Sequence, residues 1–155
     1  MKKSMLSKQC VEQVLATTGF AVLATESAGT PHTSLIAFTV IGGWRQLLFA
    51  TYRDTRKYSN LRHNDRVSIL VDGRHMGSTE DQQGVVVTAV GKARDIGALE
   101  LVAAHQAHLQ RHPDLAAFMQ SPDCVLLGVA VEAYQVVRGI DDVVWWSADD
   151  LAGAQ

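Results

Sequence analysis

Three adjacent side chains, Thr55, Arg56 and Lys57, place a hydroxyl beside two cations in the segment "FATYRDTRKYSNLRHNDR" (49–66). Arg53, Arg62 and Arg66 lie in the same stretch, so five of the fourteen Lys and Arg residues gather there. "DTRKYSNLR" reads as a short helix with Asp54 as its N-cap and Thr55, Arg56 and Lys57 in the first turn. Cations at a helix N-terminus oppose the helix dipole, by about 0.3–1 kcal/mol each at an exposed site. Asp54 offsets part of this. An anion at the helix end resolves the conflict, because free backbone N–H groups, a hydroxyl and two cations then converge on one phosphate. A solvated basic turn and a nucleic-acid contact are the competing readings. Neither GxxxxGK[ST] nor GxGxxG occurs, so the usual nucleotide loops are missing.

Other chemistry-bearing residues are sparser. His105, His108 and His112 fall broadly on one face of a helical stretch, "AHQAHLQRHP", whose polarity predicts a solvated face rather than a metal site. Trp145 and Trp146 are expected to be buried by a tail that folds back. No carboxylate pair or Ser-His-Asp arrangement presents itself, so no catalytic residue is assigned. Cys10 and Cys124 stand alone, without metal-like spacing, and are expected to be buried thiols in a reducing compartment.

The elements that must position these residues follow from pattern. The chain has 155 residues, 47% apolar and 19% charged, with a net charge of −2, which suits one soluble domain over 1–155. That charge argues against a general nucleic-acid binder. The N-terminus has no continuous apolar core, and no segment is long enough to span a membrane, so a cytoplasmic protein is expected. A helix is predicted over 4–18, with Ser4 as cap and Gly19 as stop. Strands are predicted at 20–25, 32–41, 47–51, 66–71, 85–94 and 124–137, a long loop at 72–84, and a helical insert at 97–120 broken at Pro113. Residues 139–155 form a tail. Strands at hairpin spacing with few helices point to a closed or half-closed barrel, built from 20–94 and 124–138.

The order of elements resembles the FMN-binding split-barrel family related to pyridoxamine 5′-phosphate oxidase. The resemblance rests on Ala24-Thr25, Gly29-Thr30-Pro31, Phe49, Thr51, Thr55-Arg56-Lys57, Leu61, Asn64, Arg66-Val67-Ser68 and Gly91-Lys92-Ala93, within about residues 18 to 96. It implies a mainly β fold with flanking helices, a six-stranded antiparallel split β-barrel, and a homodimer with FMN at the interface. The flavin ring would lie along the strand Ser34–Thr39, against Ser34, Leu35, Ile36, Ala37 and Thr39, with Ala50 and Thr51 flanking it. Arg56 and Lys57 would hold the phosphate, with Thr55 at the helix end. Gln83, or its neighbour Gln82, would stand for a loop glutamine that reaches the flavin from the partner.

The departures are equally specific. Ser34 and Thr39 replace an Arg and a Lys of the oxidase, and the oxidase's C-terminal Arg and His have no counterpart, which argues against vitamin B6 oxidation. The resemblance therefore implies an FMN-dependent oxidoreductase of undefined small-molecule substrate, with a reduced nicotinamide as one donor. A non-catalytic flavin carrier or redox sensor, a haem-binding or haem-utilising member of the fold, and a deazaflavin-binding relative are its alternatives. No metal, nucleic acid or membrane is expected to take part.

Overall fold

The computed structural model describes residues 2–76 and 84–153. Gln82 and Gln83 lie outside the described residues. Helix α1 (Lys2–Thr17) leads into β1 (Phe20–Ser27), β2 (Thr30–Ala37), β3 (Thr39–Ile41) and β4 (Gln46–Tyr52). Helix α2 (Arg56–His63), β5 (Arg66–Asp72), a 3-10 turn (Arg74–Met76) and β6 (Val86–Asp95) follow. Then come α3 (Ala98–Arg111), a second 3-10 turn (Pro113–Leu115), α4 (Ala116–Gln120), β7 (Cys124–Gly139), β8 (Asp142–Ser147) and α5 (Ala148–Gly153).

The strands form one antiparallel sheet in the order β2-β1-β5-β6-β7-β4-β3, with β8 also paired to β7. The sheet curls until β2 and β4, far apart along that path, touch each other. This is the expected mainly β half-barrel, but with eight strands among the described residues rather than six. Two strands account for the difference. The run 32–41 is β-branched and aromatic throughout, so it reads as one strand, yet it divides at Phe38. There the chain leaves β1 for β4, and the fully buried Phe38 donates its N–H to the Gly19 carbonyl at 3.1 Å. A strand that changes partners at a corner keeps its β-type residues through the bend, so composition cannot mark the break. The second addition is β8. The tail folds back on β7 through a turn at Gly139–Asp142, so its aromatic pair lies on a strand.

Boundaries shift elsewhere for local reasons. Helix α1 begins at Lys2, so Ser4 lies inside it and does not cap it. The helical insert comes in three pieces, separated where Pro113 opens the 3-10 turn. Trp146 packs against the core while Trp145 is exposed on the other face of β8, since successive strand residues face opposite ways. Neither cysteine is fully buried.

Alternation sets the core. Ala21 and Leu23 of β1, Val67, Ile69 and Val71 of β5, and Val87 and Ala89 of β6 face inward, and Val11, Val14 and Leu15 of α1 plug one end. Gly91 sits at a register shift between β6 and β7, where a Cβ would lie 2.1 Å from the Ala130 carbonyl oxygen. Only glycine lets the two strands approach so closely. Trp44 closes the β3–β4 turn at φ 71°, and its carbonyl accepts the hydroxyl of buried Tyr134 at 2.6 Å. Among the described residues, no helix is long and apolar enough to cross a membrane.

Candidate functional site

A cavity of about 310 Å³ opens where β2 meets β4. Leu35, Ile36 and Ala37 of β2 form one wall, and Ala50, Thr51 and Tyr52 of β4 the other. Thr55 and Lys57 lie at the start of α2, while His108 of α3, Leu115 and Phe118 close the side provided by the helical insert. Phe118 meets Tyr52 edge-on, with ring centroids 4.6 Å apart. β2 pairs only with β1, so its other edge carries backbone N–H and C=O groups not used by the ladder. An apolar slot bounded by such an edge suits a flat conjugated ring with polar rim atoms.

The polar end is built by α2. Its N-cap is Thr55, not Asp54: the Thr55 hydroxyl accepts the Tyr58 N–H at 3.3 Å and donates to the Tyr52 carbonyl at 2.9 Å. Asp54 lies one residue too early to reach the free N–H groups. The correction places Arg56 and Lys57 at the first two helical positions, next to the orphan amides. Thr51 Oγ1 lies 2.9 Å from Thr55 Oγ1, so two hydroxyls meet at this end of the cavity.

Lys57 is the unusual charge. Burial lowers its pKa from the usual lysine value, and no carboxylate among the described residues pairs with it. Arg56 faces a neighbouring recess lined by Ser27, Thr30, Ser59 and Asn60, so the two cations flank the helix end rather than share one cavity wall. Two other basic residues of the segment have local partners. Arg53 donates to the Pro122 carbonyl at 2.8 Å, and Arg62 lies over the Tyr58 ring and 3.9 Å from Asp95.

Several motif residues hold this end in place instead of touching the cavity. Asn60 donates to Thr25 Oγ1 at 3.0 Å, which ties α2 to β1 through buried groups. Asn64 donates to Glu26 at 2.6 Å and accepts the Arg66 N–H at 3.0 Å. Glu26 also accepts the Gly29 N–H, and these hydrogen bonds hold its carboxyl below the usual range.

Of the remaining residues expected at a ring site, neither Ser34 nor Thr39 lines the cavity: Ser34 has a buried Oγ with no partner among the described residues, and Thr39 is buried on β3. Thr39 nevertheless touches the site through His108, whose Nδ1 lies 2.8 Å from Thr39 Oγ1. This corrects the expectation of a solvated histidine face. His108 and His112 are buried, and His112 Nε2 donates to the Phe38 carbonyl at 2.7 Å. Burial, then the nearby His112, His105 and Arg111, lowers the pKa of His108 to about 4. The sequence signal was the i, i+4 spacing of 108 and 112, in phase with buried Ala104; polar composition concealed it.

Residues 7–138 match the family described as pyridoxamine 5′-phosphate oxidase. No curated protein matches the chain. Solved structures with this fold include a heme binding protein from Mycobacterium smegmatis, with a TM-score of 0.82 and 22% identity over 95% of this chain. The chain spans 60% of the length of that protein. A heme storage protein from Vibrio cholerae gives a TM-score of 0.64 at 18% identity, covering 81% of this chain and 90% of the other. A FAD-binding protein from Mesorhizobium loti gives 0.62 at 18% identity, covering 81% and 89%. At such identities the shared feature is the fold.

Proposed function

The chain belongs to the pyridoxamine 5′-phosphate oxidase family, and from that premise we propose that the β2–β4 cavity holds FMN and that the protein is a flavin-dependent oxidoreductase acting on a small molecule. The observation that carries this reading is Lys57, a half-desolvated cation without a carboxylate, beside two hydroxyls and the free amides of α2. An anion arriving there gains the ammonium and the helix end at once, with the Thr51 hydroxyl free to turn its hydrogen from Thr55 toward it. Arg56 would approach the same phosphate from the adjoining recess. The apolar walls and the free edge of β2 would orient the ring. When bound, the flavin supplies hydride or electron transfer; the chain supplies binding, orientation and access.

A second copy of the chain fits the outer face. Leu35, Val22, Leu70, Thr88, Gln135 and Trp145 are consecutive cross-strand partners, so they form one row. Leu35 is 71% exposed, Trp145 56% and Leu70 40%, and Leu35 also lines the cavity. Burying this row against a second protomer would cover the mouth of the site. A cytoplasmic homodimer is the assembly this reading carries.

The test is reconstitution. Purified protein should take up FMN and turn yellow, Lys57→Ala should weaken binding about tenfold or more, and Arg56→Ala should weaken it less. Full flavin affinity in the Lys57→Ala, Arg56→Ala double variant would sink the phosphate assignment. Reduction of bound flavin by NADH or NADPH with turnover would favour an enzyme; no turnover with any donor would favour a flavin carrier. A second reading rests on His108, whose free Nε2 beside an apolar cavity could ligate haem iron, the group bound by relatives of this fold. A Soret shift on hemin titration tests it.

A further inference from the structure

His108 and Thr39 form a pair that the phosphate end of the site does not explain. The His108 ring is fully inaccessible yet belongs to the cavity lining, and its Nε2 is buried with no hydrogen-bond partner. A polar atom withdrawn from water in this way is a standing cost unless something that enters the cavity completes it. The tautomer follows from Thr39. Its hydroxyl is buried, and its only side-chain hydrogen bond among the described residues is to His108 Nδ1, at 2.8 Å. If Nδ1 carried the ring proton, the Thr39 hydrogen would have no acceptor. Thr39 therefore donates to Nδ1, and the proton of the neutral ring sits on Nε2. Burial keeps the ring neutral, and the nearby His112, His105 and Arg111 act in the same direction.

We propose that His108 Nε2–H donates a hydrogen bond to a carbonyl oxygen or ring nitrogen of the flavin in the cavity, and that Thr39 is the positioning residue that fixes the donor tautomer. This rests on the reading of the cavity as the flavin site. It assigns the helical insert, through α3, a direct part in recognising the ring. It also distinguishes two ligands by one proton: a flavin acceptor needs hydrogen on Nε2, whereas haem iron needs a lone pair there and the proton on Nδ1.

Nitrogen NMR on histidine-labelled protein at pH 7 reads the tautomer directly. His108 is expected in the Nε2–H form, and adding FMN should shift that resonance. In parallel, His108→Phe should bind FMN roughly five- to tenfold more weakly, with a moved visible flavin band. Thr39→Val, which keeps shape and frees the tautomer, should give a smaller shift in the same direction. An Nδ1–H tautomer, or an Nε2 signal unmoved by bound FMN, overturns the proposal, and both are read on wild-type protein should a variant fail to fold. A hemin Soret band lost in His108→Phe, together with the Nδ1–H form, overturns it in favour of iron ligation. If wild type and both variants bind FMN alike, only this inference fails. If wild type takes up no FMN, the flavin reading fails and this one with it.

Discussion

At the scale of single residues, the β2–β4 cavity is lined by one cation, Lys57, and one histidine, His108, among the described residues. Lys57 stood out because a cation in the first turn of a helix conflicts with the dipole, and that conflict is visible in sequence. His108 was hidden because "AHQAHLQRHP" is polar by composition, and a buried histidine is recognised only once its partners, Thr39 and the cavity, come from distant elements. The same residue gives a pH prediction. In the folded chain its pKa is lowered to about 4 from 6.5, so below pH 6.5 the unfolded chain takes up a proton that the native state refuses. Stability is then fully present above pH 6.5 and declines as pH falls toward 4, by at most about 3 kcal/mol. Glu26, a carboxylate with a lowered pKa, acts in a separate window, losing its contribution only below its usual value of 4.5. Denaturant titrations between pH 7 and 4.5 should show the slope in wild type and a flatter one in His108→Gln. Equal slopes would mean that other groups carry it.

At the scale of elements, α1, α2, the helical insert and most strands are legible while α5 is not, and the strands that are missed share a cause. The strand 32–41 divides at Phe38, and β8 is a return strand; both depend on which neighbour a segment pairs with, which local pattern does not encode. Asp54 and Thr55 are both good caps by type, and only the turn after Tyr52 decides between them. Thr55 consequently serves two ends, capping α2 and lining the cavity. Thr55→Ala should cost about 1 kcal/mol of stability and weaken FMN binding as well, while Thr55→Ser should keep most of both. Thermal melts with and without FMN separate the two losses. A variant that lost stability but bound as wild type would show the hydroxyl to be a cap only.

At the scale of the whole molecule, the family resemblance made the half-barrel legible, whereas the apolar outer row emerged only from register. Leu35, Val22, Leu70 and Trp145 are far apart in sequence and become neighbours through successive strand pairings. Leu70→Glu puts a charge in the middle of that row and away from the cavity lining. Sizing by light scattering should give a dimer for wild type and a monomer for this variant; a variant that stays dimeric would place the contact elsewhere. The route of the sheet has one more consequence, for the order of events as the chain is made. Most cavity-lining residues lie between Phe20 and Lys57, whereas His108, Leu115 and Phe118 come from the helical insert later in the chain. A nascent chain that has emerged through α2 thus displays two walls of the cavity without the side that the helical insert closes. The cavity gains its last side from the insert, and the sheet is complete once Cys124–Gly139 docks between β6 and β4, so cofactor loading would follow the later half of the chain.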